Sequence, residues 1–291
     1  MPSLLLVRFG VVFMITAKDL ANKPIAIPKT FSISQVISKL LDLDKSRLVI
    51  TDGQKPIGIV TEKDVGFFLF AEQSKQSLDR IQLTRIMKGL VYQDGSTSIN
   101  SCAKKMIERN ISSIAVGTEN NLEGIFTKTD LAKFYSTNYA KKFKVSDFMT
   151  DHYFTVHDTA TLSRVMSKML EHKISRIITK DQNDNPVGII SFRDFFRVSL
   201  EFGREDITED YPLSDHIRKG FVSSGGFGAI TLASEIMTRK IISVKYDDDL
   251  AKACTEMSEH NINGLAVLDT KGKISGIISK TDVTRALAML E

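Results

Sequence analysis

The chain has no tryptophan, two cysteines and six prolines among its 291 residues. Two thiols cannot build a disulfide framework, which excludes a small disulfide-rich secreted scaffold. Cys102 and Cys254 each lie in an apolar helical pattern, so we expect buried thiols in a reduced intracellular protein. The ordinary composition, 42% hydrophobic and 25% charged, also excludes collagenous and disordered classes and predicts a globular chain of about two domains.

Long hydrophobic runs are also missing. The most apolar stretch, Leu4 to Ile15, is interrupted by Arg8 and Gly10 and is shorter than the roughly twenty residues that span a bilayer. It lacks the basic start and cleavage site of a signal peptide. Residues 1–15 are therefore either an extra strand or oligomer contact, or the product of a start placed before Met14. We expect no membrane partner and a cytoplasmic location.

Catalytic signatures are absent as well. The five histidines are scattered, and there is no His-Glu-x-x-His, Cys-x-x-Cys, nucleophile elbow or P-loop. Asp247–Asp249 precedes a helical pattern and is interpreted as a helix cap, without the further oxygen ligands that a metal site needs. These absences predict a protein that is not an enzyme, has no metal site and requires no cofactor.

One motif is present four times: glycine, two apolar residues, serine or threonine, two variable residues and aspartate. Four copies in one chain indicate an internal repeat. The copies are Gly58 to Asp64, Gly124 to Asp130, Gly188 to Asp194 and Gly276 to Asp282.

Every copy lies in the same sequence context. A short helical turn is followed by an extended piece, an amphipathic helix and a hairpin whose second strand ends in the motif. The closing helix is predicted to start at the motif aspartate. In the third repeat Leu162, Val165, Met166 and Met169 share one helical face, for which we expect core packing rather than a ligand contact. Each unit therefore reads β-α-β-β-α, and the chain is of the α+β class.

The spacing of the motifs predicts the domain boundaries. The third interval is longer than the other two, and the excess falls in a charged and glycine-containing stretch. We expect a first module at 16–140, made of repeats 16–80 and 81–140, and a second at 141–291, made of repeats 141–200 and 233–291. Residues 201–232 are interpreted as a linker, because the glycine run at 223–228 follows no strand and lacks dinucleotide-motif spacing.

Four β-α-β-β-α units that close with Gly-x-x-Ser/Thr-x-x-Asp resemble cystathionine β-synthase (CBS) domains, over about residues 16 to 290. Members of this family pair their repeats into Bateman modules, which implies two modules here. The two modules could form one disc within the chain or pair with those of another copy, and a homodimer is the expected assembly. The family binds adenosine-type ligands, typically AMP, ADP, ATP or S-adenosylmethionine. The resemblance thus implies an adenine nucleotide as ligand rather than as a required cofactor.

The resemblance also assigns site residues. A carboxylate accepts two hydroxyls of a ribose diol, and this role falls on Asp64, Asp130, Asp194 and Asp282. The hydroxyl residues three positions earlier can bond sugar or phosphate: Thr61, Thr127, Ser191 and Ser279. Any single such pair is equally well explained as a helix N-cap.

Adenine in this family bonds to backbone groups of the strand that opens a repeat. By position these are Ala26 and Ile27, Thr155 and Val156, and Ser243 and Val244. Tyr92–Gln93 in the second repeat has an uncertain register. The phosphate candidates are Lys128, Lys173, Arg176, Arg193, His260 and Lys280, and surface solvation explains any one of these bases equally well.

The preferred hypothesis is a stand-alone nucleotide sensor that modulates an unknown protein partner through rearrangement of its modules. The alternative is a docking protein for RNA or a ribonucleoprotein such as the ribosome. It depends on Lys141-Lys-Phe-Lys144 and on the basic residues Arg197, Arg204, Arg218 and Lys219. A net charge of +4 allows contact with phosphates but does not identify a nucleic-acid binder. Hydrolysis of the bound nucleotide is the least favoured reading, since no base or metal cluster supports it.

Overall fold

The computed structural model describes residues 15–71, 76, 78–192, 194–195 and 231–290. The N-terminal extension up to residue 14, Arg193 and the linker up to residue 230 lie outside the described residues, and the predictions made for them stay predictions.

Each repeat forms one three-stranded sheet with the same topology. The first strand is parallel to the second, because a helix connects them, and the second is antiparallel to the third across a hairpin. The sheets confirm the α+β class and the predicted order of elements. Their strands are β1 Ala26–Pro28, β2 Arg47–Asp52 and β3 Lys55–Thr61; β4 Tyr92–Gln93, β5 Ser113–Thr118 and β6 Asn121–Thr127; β7 Thr155–His157, β8 Arg176–Lys180 and β9 Pro186–Ser191; and β10 Ser243–Lys245, β11 Gly264–Leu268 and β12 Ile274–Ser279.

The register of the second repeat follows from its sheet. Tyr92 pairs with Ala115 as Ala26 pairs with Val49, so Tyr92–Gln93 is the structural equivalent of Ala26–Ile27.

The helices divide into opening turns, central helices and closing helices. The central helices are capped by a side chain at the residue before them, such as Thr161, which accepts from the backbone N–H of Arg164. The α-helices are α1 Ala17–Leu20, α2 Ile33–Asp42, α3 Glu62–Ala71, α4 Ile99–Glu108, α5 Lys128–Asn138, α6 Leu162–Glu171, α7 Ala233–Ile236, α8 Leu250–Glu259 and α9 Lys280–Ala288, and single 3₁₀ turns lie at Leu83–Arg85 and Val145–Asp147. The predicted methionine-bearing faces are buried, which confirms their role in the core.

The predicted start of the closing helices was wrong by two residues. They begin directly after the motif serine or threonine, and the aspartate is the third helical residue. In α5, Thr127 caps the backbone N–H of Thr129, while Asp130 accepts the backbone N–H of Thr127 at 2.8 Å. The motif is thus a capping box, which sets the helix start at the hydroxyl residue.

The opening turn of each repeat packs on its neighbour rather than on its own repeat. The backbone N–H of Ala17 donates to the carbonyl of Thr97, and that of Leu83 donates back to Phe31. Val145 and Ala233 make the equivalent bonds between the third and fourth repeats, to Asp248 and Ala160 respectively. The four repeats are therefore joined as a first pair (repeats one and two) and a second pair (repeats three and four).

This exchange explains the motif glycine. A Cβ atom on Gly188 would lie 2.5 Å from Sδ of Met237, which belongs to the opening segment of the fourth repeat. Gly58 meets Met87 in the same way in the first pair. A larger residue would push the exchanged segment off the strand.

The two pairs meet through two apolar cores. One core combines residues of the first and third repeats, and the other combines residues of the second and fourth. In the latter, α9 contacts α4 and α5, and α8 contacts α5. Within the described ranges, no helix is both long and apolar enough to cross a membrane.

Candidate ligand site at the junction of the repeats

Each motif aspartate binds its own helix start through one carboxylate oxygen. Oδ2 of Asp282 accepts from the backbone N–H of Ser279 at 2.7 Å and from its hydroxyl at 2.6 Å, and Asp194 makes the same bonds to Ser191. Asp64 and Asp282 are buried, with 8% and 3% of their surface exposed. The capping role of the four carboxylates is therefore structural fact, and the ribose role of the other oxygen stays a prediction.

The second oxygen, Oδ1, has a different environment in every repeat. Lys88 forms an ion pair with that of Asp64, and Nδ2 of Asn22 lies 3.4 Å from that of Asp130. Arg285, one turn further along α9, binds that of Asp282 at 2.8 Å. Among the described residues the Oδ1 of Asp194 has no polar partner. We call each motif aspartate, together with its capping Ser or Thr, a clamp. The four clamps thus differ in the partner of Oδ1 although their motifs match.

Two arginines cross from the odd repeats to the even ones. Arg176 begins β8, and its guanidinium lies 2.9 Å from the position that a Cβ on Gly264 would occupy. Arg47 begins β2 and donates to the carbonyl of Ser112 at 3.0 Å. Burial lowers the pKa of both guanidinium groups, while Asp130 beside Arg47 and Asp282 beside Arg176 act in the opposite direction. Both arginines therefore place positive charge beside the carboxylate of the neighbouring repeat.

Two lysines and two threonines form a symmetric arrangement between the second and fourth repeats. We call these four residues (Lys128, Thr129, Lys280 and Thr281) the polar junction. Nζ of Lys128 donates to Oγ1 of Thr281 at 3.1 Å, and Nζ of Lys280 donates to Oγ1 of Thr129 at 3.2 Å. Each lysine follows the motif Ser or Thr directly, and Lys280 is buried. The junction therefore joins the two pairs through ammonium groups.

Burial lowers the pKa of Lys128 to about 8. The nearby Asp282 opposes the shift, whereas the positive charges of Arg285, Lys63 and Arg47 add to it. An ammonium with this environment lacks a full counter-charge. An anion placed at the polar junction would supply one.

Two other phosphate candidates, Lys173 and His260, lie directly after central helices. Lys173 is exposed and has a φ of 54° in the turn after α6. In the equivalent turns after the other central helices, Asp44, Asn110 and Asn261 hold the same left-handed conformation. Asn and Asp tolerate that conformation, so a turn requirement explains Asp44, Asn110 and Asn261 without a ligand, whereas it does not explain a lysine at residue 173. His260 ends α8 and lies 3.5 Å from Glu256 on the same helix.

Three of the six adenine-strand residues can offer a ligand only backbone groups. The side chains of Ile27, Val156 and Val244 are buried in the two cores. In the third repeat Nζ of Lys168 already takes the carbonyl of Thr155 at 2.9 Å. Adenine contact at these strands stays a prediction.

The two cysteines are packed inside the protein. Cys102 and Cys254 are buried as predicted, and burial raises the pKa of their thiols to about 11 and about 12. In the part of the chain that the structure describes, no three His, Cys, Asp or Glu side chains are grouped to hold a metal ion.

The basic segment 141–144 lies beside acidic residues. The backbone N–H of Lys141 donates to Asp249, and that of Lys144 donates to Asp147. Arg197, Arg204, Arg218 and Lys219 are outside the described residues, so the RNA alternative gains no support and stays a prediction.

The chain belongs to the CBS domain family. The sequence profile of the CBS domain matches residues 17–68, 89–137, 145–201 and 233–289, one match for each repeat. The recognition from the four motifs is therefore confirmed. Proteins of this family are generally regulatory rather than catalytic.

Full-length similarity is found to an archaeal protein. The chain is 23% identical over 285 residues to the uncharacterised protein MJ1225 of Methanocaldococcus jannaschii, covering 92% of this chain and 96% of that one. The crystal structure of MJ1225, a proposed archaeal homologue of g-AMPK, has a TM-score of 0.77 at 20% identity and covers 94% and 100% of the two chains. An uncharacterised conserved protein from Pyrococcus horikoshii has a TM-score of 0.63 at 16% identity, covering 94% and 99%. Likeness at these identities shows the fold alone.

Other relatives match over part of their length. A homoserine O-acetyltransferase of Methanococcus vannielii is 25% identical over 145 residues, which are 50% of this chain and 25% of that one. The chain spans between a quarter and about half of the first curated relatives it matches. The activity of such a relative is therefore not carried over.

Proposed function

We propose that the chain is a regulatory sensor of adenine nucleotides, whose two pairs of repeats act as the two Bateman modules, at 16–140 and 141–291. The observation that carries this proposal is the polar junction. Two ammonium groups lie between two clamps, next to the carboxylates of Asp130 and Asp282, and make reciprocal bonds across 151 and 153 residues of sequence. A carboxylate for a ribose diol and an ammonium for a phosphate are the two groups that a nucleotide needs.

The electrostatics support an anionic ligand. Burial lowers the pKa of Lys128, and the charges of Arg285, Lys63 and Arg47 lower it further. Asp282 is the one acidic group that offsets this shift. Bringing a phosphate to this site neutralises repulsion among the cations, so that ligand binding is favoured over the empty state. AMP, ADP and ATP fit this chemistry better than S-adenosylmethionine, which carries a positive sulfonium and no phosphate.

A sensor must convert binding into a change that a partner can detect. Lys128 is in the first pair and Thr281 is in the second, so their hydrogen bond joins the modules. A phosphate that binds the two ammonium groups competes with this hydrogen bond and with the equivalent hydrogen bond from Lys280 to Thr129. Nucleotide binding would therefore bias the arrangement of the two modules, provided that the ligand binds the two arrangements with different affinity.

Isothermal titration of the full chain with AMP, ADP, ATP and S-adenosylmethionine tests this proposal. We expect binding of the phosphate-bearing ligands, weakened about tenfold or more by Asp282→Asn, since a bond to a charged group contributes about 1.5–3 kcal/mol. Asp52→Asn is the matched control, because Asp52 pairs with the exposed Lys29 at the surface. Absence of binding to all four ligands at millimolar concentration would overturn the proposal.

The same proposal includes a protein partner and a homodimer, and it includes no catalytic step. Sedimentation of the full chain with and without nucleotide tests the assembly: a dimer is expected, and a monomer under both conditions would remove that part.

A further inference from the structure

Four residues at equivalent positions, which we call the crossing residues, follow the opening turns and pair with the motif strand of the neighbouring repeat. Each exchanges two backbone hydrogen bonds with the isoleucine that follows the motif glycine, at 2.8 to 3.1 Å. In the second pair the crossing residues are Thr150 and Thr238; in the first pair they are Asn22 and Lys88. Lys88 alone among the four carries a charge.

The charge of Lys88 is directed at the clamp of the first repeat. Its Nζ forms an ion pair with Oδ1 of Asp64, whose Oδ2 is taken by the backbone and the hydroxyl of Thr61. Both oxygens of this buried carboxylate are therefore engaged by the chain itself. Oδ1 is the atom that the ribose diol would need, so Lys88 and a nucleoside compete for it.

Lys88 can leave Asp64 when a ligand binds, because its side chain is exposed to water. The side chain of Lys88 is 71% exposed, whereas that of Asp64 is 7% exposed. An exposed lysine loses little when it swings into water, because its pairing is screened and costs side-chain entropy. Burial lowers the pKa of Lys63 and the positive charge of Lys88 lowers it further, so the ammonium of Lys63 is also close.

We propose that Lys88 occupies the first clamp in the absence of ligand and makes this site weaker for nucleosides with a 2′,3′-diol than the third, where no described residue engages Oδ1 of Asp194. The inference rests on the proposed function. It makes Lys88 a specificity-determining residue: the first site opens only to a ligand that displaces the ammonium from Asp64.

The test is titration of the full chain with ATP, comparing wild type with Lys88→Thr, which installs the residue found at Thr150 and Thr238. We expect Lys88→Thr to gain one binding site or to tighten the first site about tenfold. Lys88→Gln, which keeps the length without the charge, should show the same gain. The reverse transplant, Thr238→Lys, should weaken binding at the third repeat by a similar factor. Lys45→Thr, an exposed lysine outside the clamps, is the control.

The outcomes separate the two proposals. Equal stoichiometry and affinity in wild type, Lys88→Thr and Lys88→Gln, with ATP bound by all three, would overturn the role of Lys88 and leave the sensor function standing. Binding by the Lys88 variants alone would support the inference. No binding by any of them would overturn both. Thermal melting of each variant confirms that it is folded.

Discussion

The two junctions between the pairs use the same backbone motif for different chemistry. Between the second and fourth repeats lies the polar junction, with its reciprocal lysine–threonine bonds. Between the first and third repeats lies an aromatic junction, in which the rings of Phe67 and Phe192 have centroids 5.3 Å apart. Phe192 occupies the motif position that Lys128 and Lys280 occupy in the even repeats. In the first repeat the same position is Glu62, and the ring that meets Phe192 comes from Phe67 further along α3.

The two junctions therefore differ in how they affect stability. Burying an aromatic ring stabilises the contact between the pairs, whereas burying an ammonium without a full counter-charge costs stability. We therefore expect the aromatic junction to hold the pairs together and the polar junction to respond to ligand. The following predictions test that contrast.

The largest effect is expected from Phe192→Ala. Phe192 is buried in the core shared by the first and third repeats, and truncating a buried phenylalanine costs about 3–5 kcal/mol of unfolding free energy. Chemical denaturation measures it. Tyr246→Ala is the control, since Tyr246 is 45% exposed and its loss should change stability by under about 0.5 kcal/mol. Similar losses for both variants would contradict the role assigned to the aromatic junction.

A smaller loss is expected where the repeats of one pair exchange segments. Gly188→Ala places a methyl 2.5 Å from Sδ of Met237, and such overpacking costs about 1–3 kcal/mol. Gly89→Ala is the matched control because no atom lies within 4 Å of its Cβ position. If the two variants melt at the same temperature, Gly188 is not required for the close approach of Met237.

Nucleotide affinity should depend on pH, because Lys128 of the polar junction loses its proton in the measurable range. The pKa of free Lys128 is about 8, and a bound phosphate favours the ammonium form. Above pH 8 the free site loses this proton, so nucleotide affinity should fall with rising pH, by at most about tenfold per unit. Lys128→Met should remove this dependence between pH 8 and 10, whereas Lys133→Met, on the exposed side of α5, should keep it.

The same shift makes the ligand-free protein respond to pH in the opposite sense. Between about pH 8 and 10.5 the unfolded chain binds a proton at residue 128 and the folded chain does not. The contribution of Lys128 to stability therefore rises with pH in this window. Thermal melting of wild type and Lys128→Met across the window measures it. A contribution from Lys128 that falls as pH rises would contradict the burial of its ammonium.

The smallest effect is expected at the caps. Ser279→Ala removes the hydroxyl that donates to Asp282 at 2.6 Å and should cost about 1 kcal/mol, as for other N-caps. Chemical denaturation compares it with Ser96→Ala, which removes an exposed turn hydroxyl. An equal, negligible loss at both positions would mean that the motif hydroxyl is kept for ligand contact rather than for capping.

The repeats, their elements and the four carboxylates could be predicted from the sequence, because the motif and the apolar periodicity are local signals. The helix start was misplaced by two residues because the closing helices were predicted to begin at Asp130 and its equivalents, although a hydroxyl residue three positions before a carboxylate is the pattern of a capping box. Lys173 was one of the phosphate candidates because of its charge, and its left-handed backbone conformation could not be read from the sequence.

The polar junction could not be foreseen as an arrangement. Lys128 and Lys280 were phosphate candidates, but their bonds to Thr281 and Thr129 depend on how the two pairs pack against each other. The ion pair of Lys88 with Asp64 depends likewise on the exchange of opening segments. An identical Lys-Thr-Asp string after the second and fourth motif hydroxyls was the one sequence signal for this symmetry.

The central claim is that the polar junction receives the phosphates of a nucleotide whose ribose is held by the motif carboxylates. The most direct test compares ATP with adenosine on wild type and on Lys128→Met/Lys280→Met by isothermal titration. The account predicts that the double variant loses at least about tenfold in ATP affinity while its adenosine affinity stays unchanged. An equal loss for both ligands, or no loss for ATP, would contradict it.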